Sequence, residues 1–355
     1  MNSLEAARGQ INEIDQEMAG LFERRMAAVE TIIRYKQEHH LEILDSGREQ
    51  EVIARNSQRI QNPALMDYYT DFIVHLMGLS KQYQARLLHR DTVGYQGVTG
   101  AFSDIAARHL FPHGRIASYP SFEAVFDALD QGEIAYGVIP IENSFTGDVG
   151  NVLELLWAHD CYITAIYDQP IVQNLLACKG ARLEEIRQVY SHPQALAQSQ
   201  KFLRDLGLEP VPYGDTALAA KYISEEGDPS KGAIASAETA DLYGLEVLVP
   251  AINTSAENTT RFAVISKNLP LDGNRFSLLF ALSHDPGSLA KVIQIIAQRG
   301  FNLESIKSRS MHSTPWQYFF YVEVVGRLHS PEGEALLEAI RPACSHLRVL
   351  GIYDR

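Results

Sequence analysis

The first 39 residues alternate apolar and polar positions with the period of a helix. Ile11, Ile14, Met18, Leu21, Phe22, Val29, Ile32 and Ile33 recur at spacings of three and four, which predicts one amphipathic helix from Leu4 to His39 with its apolar stripe turned to a core. Arg8, Arg25 and Lys36 are set into that pattern. At 100° per residue, Arg25 and Lys36 fall about 20° apart on one face and roughly 17 Å apart along the axis. Two long cationic side chains leaning together there suit a small anion. Arg8 lies about 25 Å before Arg25 and reaches that anion only from a second copy of the helix. Two more helices are predicted in HHLEILDSGREQEVIARNSQRI and PALMDYYTDFIVHLMGLSKQYQARLL, the first starting at Asp45 or Ser46. Asp45, Arg48 and Glu49 fall in its first turn, where Ser46 and Glu49 also have capping-box spacing. Ser80 and Gln84 form an i, i+4 pair late in the third helix.

From Thr92 the period changes. TVGYQGVTGAFSDIAARHLF reads as strand, glycine turn and helix, but no acid ends the next strand, RIASYPSF, as a dinucleotide site requires. The turn instead brings backbone N–H groups at a helix N-terminus close to a carboxylate. SFEAVFDALDQGEIAYGVIPIENS and GDTALAAKYISEEGDPSKGAIASAETA repeat one helix–turn–strand module about 95 residues apart, which predicts two lobes facing a cleft. RQVYSHPQALAQSQKFL opens a helix of the second lobe, and NTTRFAVIS returns as a strand with Thr260, Phe262 and Val264 on one face. Read singly, Asn143 and Ser191 fit caps, Gln194 a surface amide and Thr260 a strand former. Residues 274–355 read β-α-β-β-α-β, a ferredoxin-like unit.

The predicted architecture is therefore multidomain. An all-α domain spans 1–90, and an α/β bilobal domain spans 91–270, with lobes 91–170 plus 250–270 and 171–249. An α+β ferredoxin-like domain spans 274–355. Charge follows this division: residues 1–90 carry 11 Lys/Arg against 13 Asp/Glu, leaving 20 against 31 for the rest. So acidic a body argues against nucleic acid and anionic membrane as partners, and an anionic substrate depends on local arginines and backbone N–H groups. Three scattered cysteines, with no paired spacing, predict reduced thiols and a cytoplasmic protein. The 12 histidines show no ligand spacing, so neither a metal nor a cofactor is predicted. No apolar run reaches membrane-spanning length.

Together, Arg8, Arg25, Lys36, Asp45, Arg48, Glu49, Ser80 and Gln84 resemble the full active-site set of the all-helical chorismate mutases. The resemblance implies an intertwined dimer, or a higher homo-oligomer, with one arginine supplied in trans. Arg25 and the partner's Arg8 would clamp carboxylates, and Arg48 with Ser80 would complete the anion site. Asp45 and Glu49 would position the ring hydroxyl, while Lys36 and Gln84 donate to the ether oxygen. GxxGAFS, PIENS, YSHPQAL, GDTALAA and NTTRF jointly resemble the prephenate dehydratase family. That resemblance makes Thr260 the donor to the leaving hydroxyl and places Glu142, Asn143, Ser191 and Gln194 around the substrate.

The tail resembles an ACT domain, which binds amino acids at a dimer interface. The family's Gly-Ala-Leu-Val and Glu-Ser-Arg-Pro stand here as Gly287, Ser288, Leu289, Ala290 and as Lys307, Ser308, Arg309, Ser310. The implied effector contacts are Gly287 to Ala290 with Ser308 and Arg309. Lys307 and Ser310 depart from the pattern, which predicts weakened inhibition by phenylalanine. The domain order resembles the bifunctional family that converts chorismate to prephenate and then to phenylpyruvate. Arogenate is the alternative second substrate. A non-enzymatic bilobal amino-acid sensor is the contrasting reading, disfavoured because sensing needs neither Lys36 nor Thr260 as a donor.

Overall fold

One unbroken helix, α1 (Ser3–Glu38), begins the structure, as expected where no proline interrupts a periodic apolar stripe. The computed structural model describes residues 3–39, 52, 55–56, 58–89, 92–255, 257–311 and 317–355. Asp45, Arg48 and Glu49 lie outside the described residues, as does the predicted start of the second helix. The chain divides into two compact units, residues 1–90 with 131–133, and residues 91–130 with 134–355.

In the first unit, α1 lies against α2 (Met66–His89). Hydrogen bonds join Arg25 to Ser80 and Tyr83 to Glu30, so the two helices run side by side in the same direction. Val29, Ile33 and Ile73 are buried there. The core-facing stripe predicted for α1 is only partly covered, because these contacts gather on its C-terminal half. Ile11, Ile14, Met18 and Leu21 remain 45–58% exposed.

The second unit begins with β1 (Thr92–Gln96), α3 (Phe102–Leu110), β2 (Arg115–Tyr119), α4 (Phe122–Gln131) and β3 (Tyr136–Asn143). A short β4 (Gly147–Asp148), α5 (Val152–Ala158) and β5 (Tyr162–Pro170) follow. The next lobe comprises β6 (Asn174–Ala177), β7 (Gln188–Ser191), α6 (Pro193–Gln198), α7 (Gln200–Asp205), β8 (Glu209–Pro212), α8 (Thr216–Glu226), β9 (Lys231–Ala235), α9 (Ala237–Tyr243) and β10 (Glu246–Val249). The chain then returns as β11 (Thr259–Ser266).

The two lobes share one topology. In the first, β1 lies parallel between β2 and β3, and β11 runs antiparallel between β3 and β5. In the second, β7 lies parallel between β8 and β9, and β6 runs antiparallel between β9 and β10. The repeated helix–strand modules of the sequence are the equivalent pairs α4–β3 and α8–β9.

The last segment is β12 (Arg275–Ala281), α10 (Ser288–Gln298), β13 (Asn302–Ser310), β14 (Tyr318–Val325), α11 (Pro331–Ile340) and β15 (His346–Tyr353). Its sheet order, β13-β14-β12-β15, is ferredoxin-like. Phe276, Leu278 and Phe280 of β12, with Val322 and Val324 of β14, pack on the face covered by α10 and α11. Leu279, Phe319, Tyr321 and Tyr353 leave by the opposite face and join the first lobe's core around Ile163 and Ile265. Strand β15 also pairs with β5 through Gly351 and Ile163, merging the two sheets into one. The approach is so close that a Cβ at 351 would run into the Ile163 carbonyl oxygen, which explains the glycine. No helix among the described residues is long and apolar enough to cross a membrane.

Candidate active sites

Strands β3 and β11 bring two predicted residues face to face, because their register sets Thr260 opposite Asn143. The Asn143 amide donates to Thr260 Oγ1 at 2.9 Å and to Asn258 Oδ1 at 2.9 Å. Its own Oδ1 accepts from the backbone N–H groups of Phe145 and Thr146, both at 3.0 Å, which fixes the amide's orientation. Thr260 Oγ1 therefore acts as an acceptor toward Asn143. Among the described residues no acceptor engages its hydroxyl hydrogen, which leaves that hydrogen for a ligand.

Both residues line a cleft of about 210 Å³ between the lobes, with Ser103 and Phe262 on one side and Gln173, Gln194, Gln198 and Thr216 on the other. Gln194 donates to Thr146 Oγ1 at 3.1 Å, tying α6 to the turn after Asn143. Gln173 donates to Gln198 at 3.1 Å, and its buried Oε1 has no partner, so a polar ligand would satisfy it. The two amides escaped the sequence reading, since Gln173 sits in an interlobe segment and Gln198 at a helix end, and only burial reveals them. Three helix N-termini also open on the cleft. Asp215 caps α8 with its own carboxylate and His192 caps α6 by accepting from the Gln194 N–H, whereas Ala101 offers α3 no side-chain cap, so the N–H groups of α3 are the ones open to an anion.

Two predicted contacts lie elsewhere. Ser191 is fully buried and donates to the Ile234 carbonyl at 2.6 Å, joining β7 to β9, so it holds the sheet and does not line the cleft. Glu142 precedes Asn143 on β3 and so points to the opposite face. There it meets Arg261 at 3.4 Å and Lys307 at 2.9 Å. Arg261 also reaches Asp168 at 3.3 Å and the buried Glu323 of β14 at 3.4 Å. Burial opposes the charge of Arg261, but Glu323 and Asp168 outweigh it and raise its pKa.

In the first unit, Arg25 donates to Ser80, whose hydroxyl donates in turn to the Leu76 carbonyl at 2.8 Å. Burial lowers the pKa of Arg25. Gln84 lies one turn beyond Ser80, and Lys36 about three turns beyond Arg25; both are half-buried. Arg8 is exposed near the other end of α1.

A second cavity, of about 400 Å³, opens beside α10, lined by Leu282, His284, Ser288, Leu289, Tyr318 and Phe320 among others. Gly287 caps α10 with φ +89°, a left-handed conformation suited to glycine. Ala290 and Ser308 are exposed near this end of the domain but are not among the residues that line the cavity. Arg309 is turned away from it. Alternation along β13 sends Ser308 to one face and Arg309 to the other, where it pairs with Asp148 and with Glu154 at 3.4 Å. Burial alone would raise the Asp148 pKa, but Lys307 and Arg309 outweigh it and hold the carboxyl below its ordinary value.

Comparison with known proteins gives three families along the chain. Family models match in chain order: chorismate mutase type II at residues 7–85, prephenate dehydratase at 93–269 and the ACT domain at 277–342. The bifunctional chorismate mutase/prephenate dehydratase of Aquifex aeolicus is 30% identical over 370 residues, covering all of this chain and 99% of that protein. Arogenate dehydratase/prephenate dehydratase 2 of Arabidopsis thaliana is 34% identical over 277 residues, 74% of this chain and 73% of its own. Among solved structures, the prephenate dehydratase of Arthrobacter aurescens in complex with L-Phe superposes with a TM-score of 0.68 at 26% identity, covering 74% of this chain and 90% of that one. With three matching domains in order and a relative aligned from end to end, this chain belongs to the bifunctional chorismate mutase/prephenate dehydratase family.

Proposed function

We infer that the protein rearranges chorismate to prephenate in its first domain and converts prephenate to phenylpyruvate in its second, under control by phenylalanine through the third. The observation that carries the second activity is the Asn143–Thr260 pair in the interlobe cleft, with its uncommitted hydroxyl hydrogen. In this reaction the ring carboxylate leaves as carbon dioxide, its bonding electrons enter the ring, and the ring hydroxyl departs as hydroxide. Thr260 donates a hydrogen bond to the departing oxygen. A threonine hydroxyl is too weak an acid to be needed as more than a donor or relay. The open N-terminus of α3 suits a substrate carboxylate. Domain limits of 1–90, 91–270 and 274–355 fit these roles.

The mutase reaction is a pericyclic rearrangement and requires no nucleophile. Arg25, set by Ser80, binds a carboxylate through its guanidinium fork, and Lys36 and Gln84 donate to the ether oxygen as it gains charge. The exposed stripe Ile11, Ile14, Met18 and Leu21 supports a second copy of α1 as its cover. A dimer of this kind supplies Arg8 to the partner's site. Mixing inactive Arg8→Ala chains with inactive Lys36→Ala chains is therefore expected to restore mutase activity, since each heterodimer holds one intact site. Failure to recover activity after demonstrated subunit exchange would remove Arg8 from that role.

Phenylalanine fits the cavity beside α10, with its ring toward Leu289 and Phe320 and its carboxylate toward the N–H groups that follow Gly287. The cysteine thiols are unpaired, which supports a reducing compartment, the cytoplasm. Prephenate is favoured over arogenate because the first domain of the same chain makes prephenate. The deciding experiment supplies purified protein with chorismate and follows prephenate and phenylpyruvate, with and without phenylalanine. Accumulation of prephenate alone, or faster turnover of supplied arogenate than of prephenate, overturns the second assignment.

A further inference from the structure

We propose that Lys307, a residue of the ACT domain, is a positioning residue of the dehydratase. The proposal rests on reading the Asn143–Thr260 cleft as the dehydratase site. The Lys307 side chain is only 10% exposed, and its ammonium lies 2.9 Å from Glu142 and 2.6 Å from Asp148. Those two carboxylates sit directly opposite each other across the β3–β4 hairpin, one register step from the Asn143–Gly147 pair. Like charges facing each other across two strands push them apart. Lys307 lies between them and closes the hairpin like a pin through both legs.

The turn so closed is the one that orients Asn143. Its Oδ1 is held by the N–H groups of Phe145 and Thr146, inside the hairpin, and its amide then meets Thr260. Because neighbouring strand residues point to opposite faces, the ammonium fixes Glu142 on one side and thereby Asn143 on the other. Arg309 reaches only Asp148 of this pair, and Arg261 reaches only Glu142, so among the described residues Lys307 is the cation that joins both. Position 307 departs from the ACT pattern, which carries a carboxylate there. In this chain a carboxylate at 307 would face two others. Restoring the related residue is thus expected to harm the enzyme.

The test compares kcat and KM of the full-length dehydratase in Lys307→Glu, Lys307→Arg and the exchanged pair Lys307→Glu with Asp148→Lys. Mutase activity in the same samples reports the amount of chain, and circular dichroism with thermal melting reports that the second unit is folded. Lys307→Glu should lower dehydratase kcat on the order of tenfold, as expected for a displaced catalytic group, and leave the mutase at its wild-type rate. Lys307→Arg, which keeps the charge, should retain most activity, and the exchanged pair should recover part of what Lys307→Glu loses. Wild-type kcat in Lys307→Glu overturns the proposal, as does equal loss in the Arg and Glu variants, which would indicate packing alone. Thr260→Ala separates the two levels of inference. If it is inactive while Lys307→Glu is normal, only the positioning role fails; if it is active, the cleft itself has been misread.

Discussion

Thr260→Ala is expected to lower dehydratase turnover on the order of 10²–10³-fold, the usual loss for one preorganised donor to a developing charge, with the mutase unaffected. The hydroxyl sits at the end of a defined chain. Two backbone N–H groups hold the Asn143 oxygen, the Asn143 amide occupies an acceptor site on Thr260, and the Thr260 hydrogen is left for the substrate. Removing Oγ1 deletes the donor and takes one acceptor from the Asn143 amide, which keeps Asn258 Oδ1. Thr260→Ser keeps the hydroxyl on a less constrained side chain and should retain far more activity than alanine. Supplied with chorismate, the alanine variant should accumulate prephenate. Equal loss in serine and alanine would instead assign Thr260 a packing role through its methyl group.

The second large effect is expected at Lys36. Lys36→Ala should lower mutase turnover on the order of 10²–10³-fold if, as proposed, the ammonium stabilises charge that appears on the ether oxygen only in the transition state. Dehydration of supplied prephenate should continue at the wild-type rate, since its donors belong to a separate unit of the chain. The measurement is a pair of assays on one preparation. Loss of both activities in a variant that remains folded would contradict two independent sites.

Much of this was readable from the chain. The long helix follows from unbroken three-four periodicity, and the two lobes follow from a repeated helix–strand module. The ferredoxin-like tail follows from the order of its strands and helices. What could not be read is what depends on neighbours far away in sequence. The side of β3 that Glu142 occupies is fixed only once Asn143 is known to face Thr260. Ser191 lies in a motif with cleft residues but is consumed by a bond to Ile234. The exposed stripe on α1 has the same periodicity as a buried one, and in the proposed dimer its cover belongs to a second chain, which periodicity does not reveal. One further signal is present in the sequence: RFSLLFA and YFFYVEVV are nearly continuous apolar runs, as expected of strands covered on both faces. Alternation would have indicated a domain with one free face.

The pairing of β15 with β5 has a consequence for biosynthesis. Strand β5 ends at Pro170, yet its outer neighbour is completed only at Tyr353, near the end of the chain. While the ribosome makes the intervening residues, that edge of the first lobe is an open template for other strands. The second lobe has no such delay, since all its strands lie between Asn174 and Val249. It is able to close during synthesis, ahead of the lobe that starts before it. Chains stalled before residue 346 should therefore show protease resistance in the second lobe first, and resistance appearing first in residues 92–170 would contradict that order.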